Sequence, residues 1–191
     1  GTVLLNNKDI TNIKSNKLKE IYKDIQMVFQ DAIGSFNPRF TIEESIMEYV
    51  CNLCSTTEAD KKHKVDNLLR MVGLSKEYKY RYPHELSGGQ CQRAAIARAL
   101  SAQPKILVCD EATSALDVSV QAQIVELLKE MQEKMNISYL FITHDLALVS
   151  SFCDRVAVMK NGKVVEVGDA KEVINNPMDE YTKLLIKSAY F

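Results

Sequence analysis

Residues 86–93 read Leu-Ser-Gly-Gly-Gln-Cys-Gln-Arg, and about twenty residues further on, residues 106–111 read Ile-Leu-Val-Cys-Asp-Glu. Ala94–Leu100 between them keeps an unbroken helical pattern. A Ser-Gly-Gly at a helix start presents backbone N–H groups that no side chain shields, and the helix N-terminus adds a partial positive charge. That combination suits a phosphate. The apolar run Ile106–Cys109 reads as a buried strand, and Asp110 and Glu111 fall at its carboxyl end. There an α/β sheet places metal-binding and catalytic carboxylates. Either stretch alone reads as a helix cap or as solvated acids; the two together, in this order and about twenty residues apart, weigh against that reading.

The 191 residues suffice for one domain with a full core. Hydrophobic residues make up 46% and charged residues 26%, an ordinary globular balance. A net charge of −1 provides no global basic field that would draw nucleic acid or an anionic membrane. No apolar stretch reaches the roughly 20 residues of a membrane span, and no basic-then-apolar start marks a signal peptide. Cysteines stand at 51, 54, 91, 109 and 153. Cys51-x-x-Cys54 has no second pair at metal spacing, so all five read as reduced, packed thiols of a cytosolic protein.

Strand and helix patterns alternate along the chain, so a largely parallel sheet is expected. Two short strand pieces flank Asn6-Asn7, a helix covers Lys14–Tyr22, and Ile25–Phe29 is a strand ending at Gln30. Asp31–Arg39 is a loop. Thr41-Ile-Glu-Glu44 is a capping box opening a helix to about Cys51. Val65, Leu68, Leu69 and Val72 form one face of a second helix, with Gly73 at its stop. Val118–Met135 is the longest helical pattern. Ile137–Ile142 is another strand, Leu146–Phe152 a short helix, and Asn161-Gly162 turns a hairpin. Two closing helices flank Pro177. The middle, from about Thr41 to Pro83, carries no strand and reads as a separate helical lobe.

Leu86–Gln90, LSGGQ, resembles the signature of ATP-binding-cassette ATPases, and ILVCDE resembles their Walker B strand. The resemblance extends over nearly the whole chain. It implies a P-loop NTPase-like α/β fold with a mainly parallel sheet flanked by helices. Residues 1–40 and 101–170 would form the core, about 41–100 an inserted helical subdomain including the signature, and 171–191 the closing helices. By resemblance Asp110 holds Mg²⁺, Glu111 is the general base, and His144, after the next strand, contacts the γ-phosphate. Gln30 matches the glutamine that reaches metal and water. Ser114-Ala-Leu-Asp117 resembles the loop that crosses to a partner cassette, and Ser87, Gly88, Gly89 and Gln90 cradle the γ-phosphate of ATP held mainly by that partner. A head-to-tail dimer with a homologous, distinct ATPase subunit is implied. His63 and His84 keep ordinary surface roles.

No G-x-x-x-x-G-K-[ST] occurs in these residues. The family places its phosphate loop and first strands upstream of a segment resembling Gly1–Ile10. The chain, which opens on Gly1, therefore reads as a cassette lacking that part of its sheet, and this chain alone is expected not to turn over ATP.

Val28-Phe-Gln-Asp31, Ser35-Phe-Asn-Pro-Arg39, Arg81-Tyr-Pro-His-Glu85, Ser87–Arg93 and Ala115-Leu-Asp-Val-Ser119 resemble the ATPases of oligopeptide and dipeptide importers, with Cys91 like their F component. The implied role is to drive peptide uptake from the cytoplasmic face of the membrane. Two permease subunits would be direct partners, a substrate-binding protein an indirect one, and nucleic acid none. Nickel or another small solute is the alternative cargo. Chromosome-maintenance and DNA-repair ATPases share the signature, but they insert long coiled coils where this chain has a compact helical stretch. A non-catalytic remnant that only binds a partner is the other alternative.

Overall fold

The structure is a computed structural model that describes residues 1–53, 58–114 and 116–189. Its contacts divide it into one unit of residues Gly1–Ile142 and a second from Thr143 onward.

The first unit opens with a hairpin, β1 (Leu4–Leu5) against β2 (Lys8–Asp9). Asn6 and Asn7 both take positive φ, 50° and 61°, as a two-residue hairpin turn requires. Helix α1 (Ser15–Asp24) leads into β3 (Ile25–Val28). The main sheet has the order β3, β4 (Ile106–Asp110), β5 (Ser138–Ile142), all parallel, with β4 in the centre. Burial alternates along β4, with Leu107 and Cys109 nearly inaccessible, and Gln26 and Val28 take the same face of β3.

Between β3 and β4 the described chain is helical. Helix α2 (Ile42–Leu53) starts at the expected capping box: the Glu44 N–H donates to Thr41 Oγ1 at 3.2 Å, and the Thr41 N–H donates to Glu44 Oε2 at 2.7 Å. Its buried stripe is Ile42, Ser45, Ile46 and Val50. Cys51, expected to be packed, lies one residue beyond that stripe, about 100° further round the helix, and is exposed. Cys91 and Cys109 are buried as expected and Cys153 is half-buried; Cys54 lies outside the described residues.

Helix α3 (Glu58–Met71) buries Val65, Leu68 and Leu69, with Val72 just beyond its end. Gly73, at φ 71°, ends it: the Gly73 N–H donates to Arg70 O and the Leu74 N–H to Leu69 O, the two bonds of a Schellman stop. Two short 3₁₀ turns, Lys76–Tyr80 and Pro83–Glu85, precede α4 (Gly88–Leu100). Helix α4 is buried on nearly every side from Cys91 to Leu100, Arg93 excepted, so it is the axle of this unit. Helix α5 (Val118–Met135) matches the sequence reading to the residue and buries Ile124, Leu127, Leu128 and Met131.

The second unit contains α6 (Leu146–Phe152) and the antiparallel hairpin of β6 (Arg155–Lys160) and β7 (Lys163–Asp169), turned at Asn161-Gly162 with φ 50° and 74°. Helices α7 (Ala170–Asn175) and α8 (Glu180–Ala189) close it. Glu166 on β7 accepts the N–H groups of Met178 and Asp179, at 2.8 and 3.1 Å, just ahead of α8.

Candidate functional site

Parallel register pairs Val28 with Cys109, so Gln30 and Glu111 emerge opposite one another beyond the carboxyl ends of β3 and β4. The Gln30 Nε2 donates to Glu111 Oε2 at 2.7 Å and approaches Ser114 Oγ at 3.3 Å. The Glu111 N–H donates to Ile142 O at 2.9 Å, tying the turn to the end of β5. Ser114 in turn donates through Oγ to Glu111 O at 3.0 Å. Glu111 has φ 46°, a left-handed conformation that a non-glycine residue adopts at a cost. Its backbone is held by the Ile142 carbonyl and by the N–H and hydroxyl of Ser114, which both donate to Glu111 O, and its carboxylate by Gln30. Asp110, the last residue of β4, is half-buried beside it.

A second cluster forms at the start of α4. Ser87 caps the helix by accepting the Gln90 N–H through Oγ at 3.3 Å, and Gln90 Oε1 accepts the Ser87 N–H at 3.0 Å. This reciprocal box leaves the amides of Gly88 and Gly89, the first two of the helix, without an intrahelical acceptor. Gln90 Nε2 also donates to Tyr78 Oη at 2.9 Å, which fixes its side chain. A Cβ on Gly89 would stand 2.6 Å from Val120 Cγ1, so only glycine permits α4 and α5 to meet this closely. Asp117 caps α5: Oδ1 accepts the Val120 N–H at 3.0 Å and Ser119 Oγ at 2.7 Å. These bonds, the one from the Ser119 hydroxyl foremost, lower its carboxyl pKa. The packing thus sets Gly89 beside the helix that Asp117 begins.

His144 belongs to the second unit, exposed in the turn that Asp145 caps ahead of α6. His63 and His84 are exposed as expected; His84 stacks on Tyr82 with ring centroids 5.6 Å apart.

Two arginines escaped the sequence reading. Arg93 Nη1 donates to Val72 O at 2.8 Å and Nη2 to Gln123 Oε1 at 3.0 Å, linking α4 to the end of α3 and to α5. Arg98 is 6% exposed and donates to Ser35 O at 2.7 Å and Ser35 Oγ at 2.9 Å. Burial lowers its pKa. The available signal was a cation inside the apolar run Ala94–Leu100, which predicts a buried acceptor without saying where it lies.

The family model described as ABC transporter matches residues 1–114. The chain belongs to the ABC transporter family. Among curated ABC transporter proteins it is 46% identical over 189 residues to the dipeptide transport ATP-binding protein DppF of Lactococcus lactis subsp. cremoris, covering 98% of this chain and 61% of that protein. It is 47% identical over 189 residues to the oligopeptide transport ATP-binding protein OppF of Salmonella typhimurium, covering 98% and 57%. The chain therefore spans about three-fifths of the length of these relatives. A solved dimeric structure of the ATP-binding cassette MJ0796 bound to ADP and Pi matches with TM-score 0.77 at 29% identity, over 89% of this chain and 73% of that one. The α/β fold read from the sequence is the fold of these ABC transporter cassettes.

Among the described residues no group of three or more His, Cys, Asp or Glu side chains could hold a metal ion. Asp110, with the Gln30 amide nearby, fits instead the sparse oxygen set of an Mg²⁺ that takes its other ligands from water and phosphate. The open amides of Gly88 and Gly89 fit a phosphate.

Proposed function

We propose that this chain is the larger part of an ATP-binding subunit of a peptide importer, hydrolysing Mg-ATP at an interface with a second cassette. The observation that carries this reading is the Gln30–Glu111 pair, a carboxylate bonded by the Gln30 amide on a left-handed residue whose backbone Ile142 and Ser114 hold beyond β4.

Mg²⁺, when bound with ATP, neutralises phosphate charge. Asp110, at the end of β4, would hold that ion, directly or through its water shell. Glu111 accepts the proton of the attacking water as general base. Gln30 positions both the water and the Glu111 carboxylate, and His144 orients the γ-phosphate. Ser87, Gly88, Gly89 and Gln90 offer amides and the helix dipole to the γ-phosphate of a nucleotide held mainly by the partner. Asp117 orders the loop that reaches the partner. Residues 1–40 and 101–170 act as the nucleotide core, 171–191 as its closing segment, and about 41–100 as the helical subdomain, of which the lobe from about Thr41 to Pro83, with the Gln30 loop beside it, docks two permease subunits.

The dimer reading is supported by the dimeric structure of MJ0796 bound to ADP and Pi. Short peptides as cargo are supported by the names of DppF and OppF. The partner cassette is a similar but distinct subunit, with a substrate-binding protein acting on the far side of the permeases. Among the described residues no helix is long and apolar enough to cross a membrane; attachment to the cytoplasmic face is through the permeases.

The test is ATP hydrolysis by the full-length protein beside uptake of labelled tri- to hexapeptides in cells with and without its gene. Hydrolysis and gene-dependent peptide uptake support the reading. Loss of nickel uptake with unchanged peptide uptake overturns the cargo alone, and absent hydrolysis overturns the whole.

A further inference from the structure

Among the described residues Arg98 is the only lysine or arginine that is buried. It lies on the last turns of α4, the helix whose first residues are Gly88 and Gly89. Its guanidinium lies over two rings, 4.2 Å from the Phe36 centroid and 5.3 Å from that of Tyr49. It donates two hydrogen bonds to one residue, Ser35, through its carbonyl and its hydroxyl. No ion pair among the described residues includes Arg98. Glu48 is near enough to favour the charge, but burial outweighs it, and a cation buried without a contacting carboxylate is costly, so the arrangement depends on the fit of the fork, the rings and the two acceptors.

The loop that Arg98 holds is itself stiff. The Gly34 N–H donates to Asp31 Oδ1 at 2.9 Å, the Ser35 N–H to Asp31 O at 3.1 Å, and Ser35 Oγ to Ala32 O at 2.7 Å. Gln30 is the residue immediately before this knot. A displacement of Ser35 is therefore transmitted to Gln30, and through Gln30 Nε2 to Glu111. At the other end, Ser87 and Arg98 are joined by one helix, about 16 Å long at 1.5 Å per residue.

We infer that Arg98 is a positioning residue: it couples the phosphate-facing start of α4 to Gln30, so that the Gln30–Glu111 contact follows any movement of the helix. This rests on the proposed ATPase function. A lysine cannot replace the fork, because it presents a point charge where two acceptors need a planar pair of donors.

The experiment uses the full-length protein with Arg98→Lys and Ser35→Ala, each alone and combined with Gln30→Ala, read by kcat and KM for ATP and by thermal unfolding. For Arg98→Lys, kcat should fall about 10-fold or more with KM changed less than about 2-fold, as expected of misplaced catalytic geometry. In the Gln30→Ala background the same substitution should cost less than about 2-fold, because the residue it acts through is gone. Equal losses in both backgrounds overturn the inference, as does unchanged kcat. If Arg98→Lys fails to fold, Ser35→Ala carries the same cycle with the same two outcomes. Amide exchange over residues 31–36 provides a readout independent of hydrolysis: faster exchange in Arg98→Lys supports the tie, unchanged exchange refutes it. Absence of hydrolysis by the unsubstituted protein would instead strike the ATPase reading, leaving the exchange result to decide the tie.

Discussion

Gln30 Nε2 and Glu111 Oε2 stand 2.7 Å apart although 81 residues separate them in sequence. The pairing of β3 with β4, at the roughly 4.8 Å spacing of neighbouring strands, ends at Val28 and Cys109, and two residues further along each chain Gln30 and Glu111 come opposite one another. The contact is a product of register, so side-chain changes at either residue leave the sheet beneath it intact.

Glu111→Gln should therefore yield a folded full-length protein that binds ATP but hydrolyses it at least about 10²-fold more slowly, the scale of a lost general base. The amide removes repulsion of the γ-phosphate, so an ATP-bound dimer should accumulate. Steady-state turnover and size-exclusion chromatography with ATP check both halves; wild-type turnover would remove Glu111 from the role of base.

The backbone of Glu111 provides a separate prediction. Glu111→Ala and Glu111→Gly both delete the carboxylate and its bond to Gln30, but only glycine accepts φ 46° without strain. The glycine variant should be more stable than the alanine variant by about 1 kcal/mol, the cost of a left-handed residue. Chemical denaturation measures the difference. Equal stabilities would show that the turn relaxes.

Gly89→Ala places a methyl 2.6 Å from Val120 Cγ1. It should destabilise the protein by about 1–3 kcal/mol through overpacking, despite the better helix propensity of alanine. In a Val120→Ala background the penalty should shrink to less than half. A full penalty in both backgrounds would place the strain elsewhere.

The thiols should separate by burial. Burial pushes Cys91 up to about 11 and Cys109 up to about 12. At pH 8 Cys91 would then be thiolate in about one molecule in a thousand. Cys51 is exposed. Brief treatment with iodoacetamide followed by peptide mass spectrometry should find Cys51 alkylated and Cys91 and Cys109 unmodified until denaturant is added. Early labelling of Cys109 would mean that β4 opens in the native state.

Local signals were written plainly in the sequence. The capping box at Thr41 and Glu44, the Gly73 stop, the Asn161-Gly162 turn and the limits of α5 all depend on residues a few positions apart, where side chain dictates backbone. The family motifs singled out Gln30, Ser87–Gln90, Asp110, Glu111, Asp117 and His144, but not how they meet. The Gln30–Glu111 bond, the left-handed φ of Glu111 and the Arg98–Ser35 fork are consequences of tertiary packing that no short window contains. Cys51 was misjudged because hydrophobic character was read without the phase of α2, whose buried stripe passes one residue away.

The central place of β4 also sets a timetable. A ribosome adding about 5–20 residues per second needs about 4–16 s to go from Gln30 to Glu111. Both neighbours of β4 in the sheet are distant in sequence, whereas the capping box and stop of the intervening helices use contacts of short range. The helices can thus form while Gln30 still has nothing to hold, and the bond from Glu111 to Ile142 must wait for β5 to emerge. The edge that holds Gln30 and Glu111 is the last part of the first unit that a nascent chain can assemble.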